Sequence, residues 1–228
     1  LKHVEPAMNL LARGESQLLD ASTLGFGQLH IGASDTICRY FLVPYLKEFH
    51  HKFPNVPIKV TNATSIRCVE LLDQRKVDLI VTNFPNAYLN HDYIQKPVLR
   101  FTDAFIASPD AYPFVDQEFS LRDLQKYPLM TLDRNSTTSE FLHNLFLQHQ
   151  LDLIPEIELS SNDLLIDLAR IGLGIAFIPD YCLARDSSGL FKLKIKDKLP
   201  YRQLVASANT MFPISASTEA FLDLLPEI

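Results

Sequence analysis

Apolar and polar positions follow a strand–helix–strand order over the first third of the chain. Short apolar runs typical of buried strands occupy 28–33, 58–61 and 77–81. Between them, apolar side chains recur at helical spacing over 37–53 and 66–75. This βαβαβ order predicts a parallel sheet with crossover helices, because parallel strands need a long connection between them.

A second series of strands and helices follows residue 92, after a polar stretch at 82–86 that reads as a break. Gly172 and Gly174 are expected to end one of its helices. The alternation at 191–196 predicts a half-buried strand whose lysine face protects an exposed edge. Residues 104–107 are expected to begin the second α/β unit. The other predicted strands are 93–101, 128–132, 157–159, 175–178, 191–196 and 204–206, and the predicted helices are 120–123, 141–146, 162–171 and 215–224.

The first twenty residues carry apolar side chains at steps of three and four, which matches a heptad seam. Pro6 and Gly14 oppose a continuous helix there. Two interpretations stay open: a frayed amphipathic tail, or the end of a coiled connector to another domain. Residues 21–27 read as a hinge. The apolar positions are Leu1, Val4, Met8, Leu11 and Leu18.

Composition narrows the class of protein. Hydrophobic residues make up 47% of the 228 residues, which supports a packed core. No apolar run approaches the roughly 20 residues of a membrane-spanning helix. The formal net charge of −6 is unfavourable for direct nucleic-acid binding. Three widely spaced cysteines, Cys38, Cys68 and Cys182, favour a reduced, cytoplasmic setting over a disulfide scaffold.

Motifs of nucleotide-binding, hydrolytic and zinc enzymes are absent from the sequence, which contains no GxGxxG, GKS/GKT, GxSxG or HExxH. The sequence therefore predicts no catalytic residue, no cofactor and no metal site. Cys38 and Cys68 fall near helix starts, where the pKa of a thiol tends to be lowered. A redox switch is one interpretation of this pair, and two ordinary buried thiols are the other.

Four polar, hydroxyl-rich turns precede predicted helices. Their side chains are expected to cap the helices, and the free backbone N–H groups of a helix start also attract anions. We expect the turns to line a crevice at the carboxyl edge of the sheets, with Arg67 or Arg134 as counter-charges. Helix capping alone is the alternative explanation. The candidate ligand-binding residues are Ser34, Thr36, Thr64, Ser65, Ser136, Thr137, Thr138 and Ser161.

Several segments resemble the effector-binding domain of LysR-type transcriptional regulators. The resemblance extends over the whole chain, and the segments that carry it best lie in the first third and near Gly172. They are Gly27-Gln-Leu-His-Ile-Gly-Ala-Ser-Asp-Thr, Phe41-Leu-Val-Pro-Tyr-Leu-Lys-Glu-Phe, Phe53-Pro-Asn-Val, residues 71–81, and Gly172-Leu-Gly-Ile-Ala-Phe-Ile-Pro.

The resemblance implies an α/β, periplasmic-binding-protein-like fold of two Rossmann-like subdomains joined by two crossover strands. Subdomain I would comprise 26–102 with 202–228, subdomain II 103–201, and 1–25 would be a linker-helix remnant and hinge. It also implies a small-molecule co-inducer in the inter-subdomain cleft and a homodimer or homotetramer. DNA would be bound only through a winged helix-turn-helix domain upstream of this sequence.

Two other functions fit the sequence. A solute-binding protein of a transport system would have the same fold. An enzyme on a similar two-lobed scaffold is the third possibility, but the sequence offers no convincing acid, base or nucleophile for it. The ligand-sensing domain of a regulator is the function that the sequence favours.

Overall fold

The structure, a computed structural model, describes residues 27–89, 93–211 and 213–228, together with Val4, Ala7, Met8 and Leu11. These four residues are helical, and Val4, Met8 and Leu11 are exposed. The rest of the predicted linker and hinge, residues 1–25, lies outside the described residues.

The chain divides into two compact units. The first is Leu1–Leu99 with Gln203–Ile228, and the second is Arg100–Arg202. The strands are β1 Leu29–Ala33, β2 Ile58–Asn62, β3 Leu79–Phe84, β4 Tyr93–Phe101, β5 Asp103–Ala107, β6 Glu118–Phe119, β7 Leu129–Leu132, β8 Ile157–Leu159, β9 Ile175–Pro179, β10 Phe191–Lys192, β11 Lys194–Ile195 and β12 Arg202–Asn209. The α-helices are α1 Asp35–Ile37, α2 Val43–Lys52, α3 Ser65–Asp73, α4 Leu121–Leu124, α5 Thr137–Gln148, α6 Asn162–Arg170 and α7 Ala216–Leu224.

The first unit contains a five-stranded sheet in the order β2-β1-β3-β12-β4. Strand β1 runs parallel to β2 and β3, as the sequence predicts, and β12 returns antiparallel to β3. Helix α3 packs its buried face, which includes Val69 and Leu72, in one cluster with Val77 and Ile80. On α2, Phe49 meets Phe221 of α7 edge to face, with ring centroids 5.6 Å apart.

The second unit contains a five-stranded sheet in the order β10-β5-β9-β7-β8. Strand β7 is parallel to both β8 and β9, whereas β5 is antiparallel to β9 and β10. Every residue of β5 and β9 is buried, which explains their nearly continuous apolar sequences. Phe105 and Phe177, with ring centroids 4.8 Å apart, lie in the core beside the apolar face of α5.

Two local predictions are changed by the structure. Strand β3 continues to Phe84, so the break expected at 82–86 begins later than its polar residues indicate. The single strand expected at 191–196 is divided: β10 pairs with β5, and β11 pairs with β6 in a separate ribbon. In addition, a π-helical turn, Cys38–Leu42, directly precedes α2, whose second residue is Pro44. Proline lacks a backbone N–H, which is consistent with the altered hydrogen bonding there.

Among the described residues, the helices are all too short or too polar to cross a membrane. The structure also gathers no group of three metal-ligating side chains among them.

Candidate functional site

Two helices of the first unit begin at one edge of its sheet. Ala33 at the end of β1 is in register with Asn62 of β2 and Val81 of β3. Helices α1 and α3 start within three residues of these strand ends, so their hydroxyl-bearing first turns lie along the carboxyl edge. The predicted residues at this edge are Ser34, Thr36, Thr64 and Ser65.

Ser34 and Thr64 are the N-caps of these helices. The Ser34 hydroxyl accepts a hydrogen bond from the backbone N–H of Ile37 at 3.3 Å. The Thr64 hydroxyl accepts one from the backbone N–H of Arg67, also at 3.3 Å. Each hydroxyl therefore satisfies one helix N–H and keeps its own proton for another acceptor.

Ser65 is almost completely buried and tied to the end of β3. Its hydroxyl oxygen accepts from the backbone N–H of Asn83 at 3.1 Å, and its carbonyl accepts from the Asn86 side chain at 3.3 Å. These bonds give Ser65 a structural role in addition to its predicted place at the edge.

The end of β3 adds buried polar atoms that the sequence analysis did not single out. Thr82 is fully buried and Asn83 nearly so, and neither the Thr82 hydroxyl nor the Asn83 side-chain oxygen has a hydrogen-bond partner among the residues that the structure describes. Buried polar groups are usually paired, so such atoms are candidates for contacts with a ligand. The sequence analysis missed them because it treated this segment as a break after the strand.

The second unit repeats this arrangement on its own sheet. Leu132 of β7 is in register with Leu159 of β8. The Ser136 hydroxyl, which caps α5, accepts from the backbone N–H of Ser139 at 3.0 Å. Ser161 caps α6, and its hydroxyl accepts from the backbone N–H of Leu164 at 3.3 Å. Both helices thus begin beyond the carboxyl ends of neighbouring parallel strands.

Thr137 and Thr138, in the first turn of α5, are buried and contact a buried arginine. Arg202 Nη1 donates to Thr138 Oγ1 at 3.2 Å, and Nη2 lies 3.5 Å from Thr137 Oγ1. The two threonine oxygens act as acceptors here because a guanidinium group only donates.

Arg202 also forms a buried ion pair with Asp103. Arg202 Nη1 lies 3.1 Å from each carboxylate oxygen of Asp103. The guanidinium carbon is 4.9 Å from the ring centroid of Phe141 and 5.4 Å from that of Phe101. Burial raises the pKa of the Asp103 carboxyl, and the adjacent Arg202 charge opposes this rise.

Sequence reasoning missed this pair. Asp103 and Arg202 each lie at a boundary between the two predicted subdomains, 99 positions apart along the chain. The available signal was a charged residue beside each of two strongly apolar strands. That signal does not reveal that the two charges meet.

The two arginines that the sequence offers as counter-charges each lie near a carboxylate of their own unit. Arg67 forms an ion pair with Glu70, three residues further along α3. Arg134 Nε lies 3.9 Å from a Glu158 oxygen, and its side chain is 73% exposed. The buried guanidinium beside a predicted turn is instead that of Arg202.

The pKa values of the cysteine thiols do not support the redox interpretation. Burial is the main cause that raises the pKa of Cys38 to about 11 and that of Cys68 to about 12. Burial likewise raises the pKa of Cys182. The lowered pKa expected from helix starts is therefore wrong, because desolvation of the thiolate outweighs the effect of the helix N-terminus.

The structure resembles solved regulatory domains. The regulatory domain of CcmR from Synechocystis PCC6803, solved in complex with 2-PG, superposes with a TM-score of 0.78 at 22% identity, over 86% of this chain and 94% of that one. The effector-binding domain of QuiR in complex with shikimate gives a TM-score of 0.74 at 15% identity, over 87% of this chain and 94% of that one. These similarities establish the periplasmic-binding-protein-like α/β fold that the sequence predicts.

Sequence comparison gives the family. The HTH-type transcriptional regulator CysB of Haemophilus influenzae is 27% identical over 154 residues, which are 67% of this chain and 47% of that regulator. The chain thus spans about half the length of this relative. The family model of the LysR substrate binding domain matches residues 23–227. The chain therefore belongs to the LysR substrate binding domain family.

Proposed function

We propose that this chain is the effector-binding domain of a transcriptional regulator and that it binds a small metabolite carrying an anionic group. The hydroxyl-bearing helix starts of both units contribute to the site in this proposal. The observation that carries it is the placement of these starts at the carboxyl edge of each sheet, beside buried polar atoms. Solved domains of the same fold, in CcmR and QuiR, bind 2-PG and shikimate.

The chemistry of the turns favours an acceptor-rich ligand. Helix N-termini present backbone N–H groups and a positive dipole end. The capping hydroxyls of Ser34, Thr64, Ser136 and Ser161 each accept one bond from their own helix, which leaves their protons for a carboxylate or phosphate oxygen.

The domain would act as a sensor if the effector bound one of its conformations better than the other. A ligand shifts an equilibrium only by binding one state better than the other. In our proposal the effector stabilises one arrangement of the subdomains 26–102 with 202–228 and 103–201, and this changes the packing of a homodimer or homotetramer. The output is DNA binding, in the cytoplasm, by a helix-turn-helix domain carried elsewhere in the full protein. The HTH-type relative CysB supports this assignment.

A ligand screen followed by calorimetry tests the proposal. Native mass spectrometry or thermal shift would be run against small carboxylates, amino-acid metabolites, shikimate and 2-PG. The best ligand would then be titrated into wild type and into the double variant Ser34→Ala/Thr64→Ala. Loss of two hydrogen bonds to a charged group, of about 1.5 kcal/mol each, predicts roughly 100-fold weaker binding.

Ser215→Ala is the matched control. Ser215 caps α7 in the first unit by the same side-chain bond, at 3.2 Å to the backbone N–H of Thr218, and is not one of the predicted ligand residues. We expect Ser215→Ala to lower the stability of the protein without lowering its affinity for the ligand. Equal binding by wild type and the double variant would refute the role of the first-unit turns.

A further inference from the structure

We propose that Arg202 is a positioning residue of the effector site: it holds the hydroxyls of Thr137 and Thr138 so that they donate to an acceptor group of the ligand. The inference rests on the proposed function, because it assigns a role within the same site. It goes beyond the polar turns themselves, since Arg202 lies 64 residues from Thr138 along the chain.

The guanidinium group is fixed from several sides. Asp103 accepts from Nη1 at 3.1 Å with both of its oxygens, and the Phe141 and Phe101 rings lie 4.9 and 5.4 Å from the guanidinium carbon. Arg202 is 1% exposed, so it is held away from solvent. The planar guanidinium group is a fork of N–H donors, and when it is held in this way its donors point in fixed directions.

The direction of the hydrogen bonds from Arg202 determines whether the threonine hydroxyls donate or accept toward a ligand. Arginine has five N–H donors and no acceptor, so Thr138 Oγ1 and Thr137 Oγ1 accept from it. The hydroxyl protons must then point away from the guanidinium. Each hydroxyl is thereby set to donate, which suits a carboxylate, phosphate or carbonyl oxygen.

The charge of Arg202 is not what would attract the ligand. Asp103 neutralises it, and neither side chain reaches solvent. Arg202 Nε is buried, and within the described part of the chain it has no hydrogen-bond partner. The fork thus contributes orientation rather than net charge, and this separates a positioning role from that of a direct counter-ion.

The rotamers of Thr137 and Thr138 test the proposal without a known effector. Three-bond couplings from Cγ2 to the backbone nitrogen and to the carbonyl carbon report χ1 in the labelled protein. We expect a single rotamer at both positions in wild type. Arg202→Lys keeps a charge opposite Asp103 but loses the fork, and we expect averaged couplings at Thr137 and Thr138 in this variant.

A second variant guards against unfolding. Arg202→Met/Asp103→Leu removes both members of the pair, so no buried charge is left unpaired, and it should also give averaged couplings. Lys194→Met/Asp116→Leu is the matched control, because it removes an ion pair of the same unit whose side chains are 55% and 97% exposed. The control should leave both threonines in one rotamer.

Titration with sulfate, which only accepts hydrogen bonds, links the rotamers to binding. Sulfate-dependent shifts of the amides of residues 136–139 should weaken about fivefold or more in both Arg202 variants, as expected for losing one preorganised hydrogen bond. Single threonine rotamers in the folded Arg202 variants, averaged ones in wild type, or unchanged sulfate affinity would each overturn the proposal. Wild type that holds single rotamers but gives no sulfate response would count against the proposed anion site, while the fixing of the hydroxyls by Arg202 would stand.

Discussion

One nitrogen of Arg202, Nη1, lies 3.1 Å from both carboxylate oxygens of Asp103, and both side chains are essentially inaccessible to solvent. The pair joins the first residue of β12 to the first residue of β5. A buried pair of this kind adds little net stability, because the cost of desolvating two charges offsets their attraction. Removing only one member of the pair, however, lowers the free energy of unfolding strongly, since the remaining charge stays buried without a partner.

Removing one partner of this pair should therefore destabilise the protein more than removing both. We expect Arg202→Met to lower the free energy of unfolding by about 3–5 kcal/mol, because Asp103 is left without its cation. Arg202→Met/Asp103→Leu should recover most of that loss. Urea unfolding followed by circular dichroism measures all three proteins. A double variant less stable than the single one would contradict this account of the pair.

Gly172 ends α6 where a side chain has no room. Its φ is +82°, and a Cβ built there would lie 2.5 Å from the Cβ of Ala111. The backbone N–H of Gly172 donates to the carbonyl of Ala169 at 3.0 Å, and that of Leu173 to the carbonyl of Leu168 at 3.0 Å, the pattern of a Schellman cap. The glycine thus provides both the left-handed turn and the close approach.

Gly172→Ala should cost about 2–4 kcal/mol, the sum of a left-handed alanine and an overpacked contact. Ala111→Gly removes the clashing methyl group but leaves the backbone strain. In a double-mutant cycle measured by urea unfolding, we expect the two changes to be less destabilising together than their separate costs predict. Additive costs would show that φ alone accounts for the requirement for glycine.

Local sequence signals predicted much of this fold. Helix α5 begins directly after Ser136 and α6 directly after Ser161, the hydroxyl residues expected to cap them. Parallel pairing of β1 with β2 and β3 follows from the helices between them. These elements depend on neighbours within a few residues or on chain order, and both can be read from one sequence.

Long-range pairing could not be predicted in the same way. The sequence 191–196 alternates like one strand, but its two halves pair with β5 and β6, and nothing local indicates this exchange. The thiols of Cys38 and Cys68 lie near helix starts as expected, yet burial in the folded protein is the main cause of their raised pKa, and no local pattern shows that burial. The Arg202–Asp103 pair was missed for the same physical reason.

The short helix α4 begins with a complete capping box. Ser120 Oγ accepts from the backbone N–H of Asp123 at 3.2 Å, and an Asp123 carboxylate oxygen accepts from the backbone N–H of Ser120 at 3.1 Å. The Ser120 hydroxyl also donates to this carboxylate at 2.7 Å, and this bond is the main cause that lowers the pKa of Asp123. The sequence predicts an element at 120–123, and the Ser-x-x-Asp spacing there is that of a capping box.

Ser120→Ala should lower the free energy of unfolding by about 1 kcal/mol through loss of the cap. Because the pKa of Asp123 is lower in the folded state, its contribution is present above the unfolded pKa and is lost as pH falls. The difference between wild type and Ser120→Ala should therefore shrink in acid, as measured by urea unfolding at several pH values. Lys126→Met, which removes only an exposed ion pair with Asp123, should change stability little. A pH-independent difference would contradict the role of the carboxylate.

The thiols should be unreactive in the folded protein. With pKa values of about 11 for Cys38 and about 12 for Cys68, almost no thiolate is present near pH 7.5. We expect labelling by a disulfide reagent to be much slower than in the protein unfolded in denaturant, which serves as the control. Since the folded state holds these protons more tightly than the unfolded state, the free energy of unfolding should also fall as pH rises from about 9 to 12. Cys38 is only partly buried, and rapid labelling of this residue near neutral pH would contradict the argument and restore the redox interpretation.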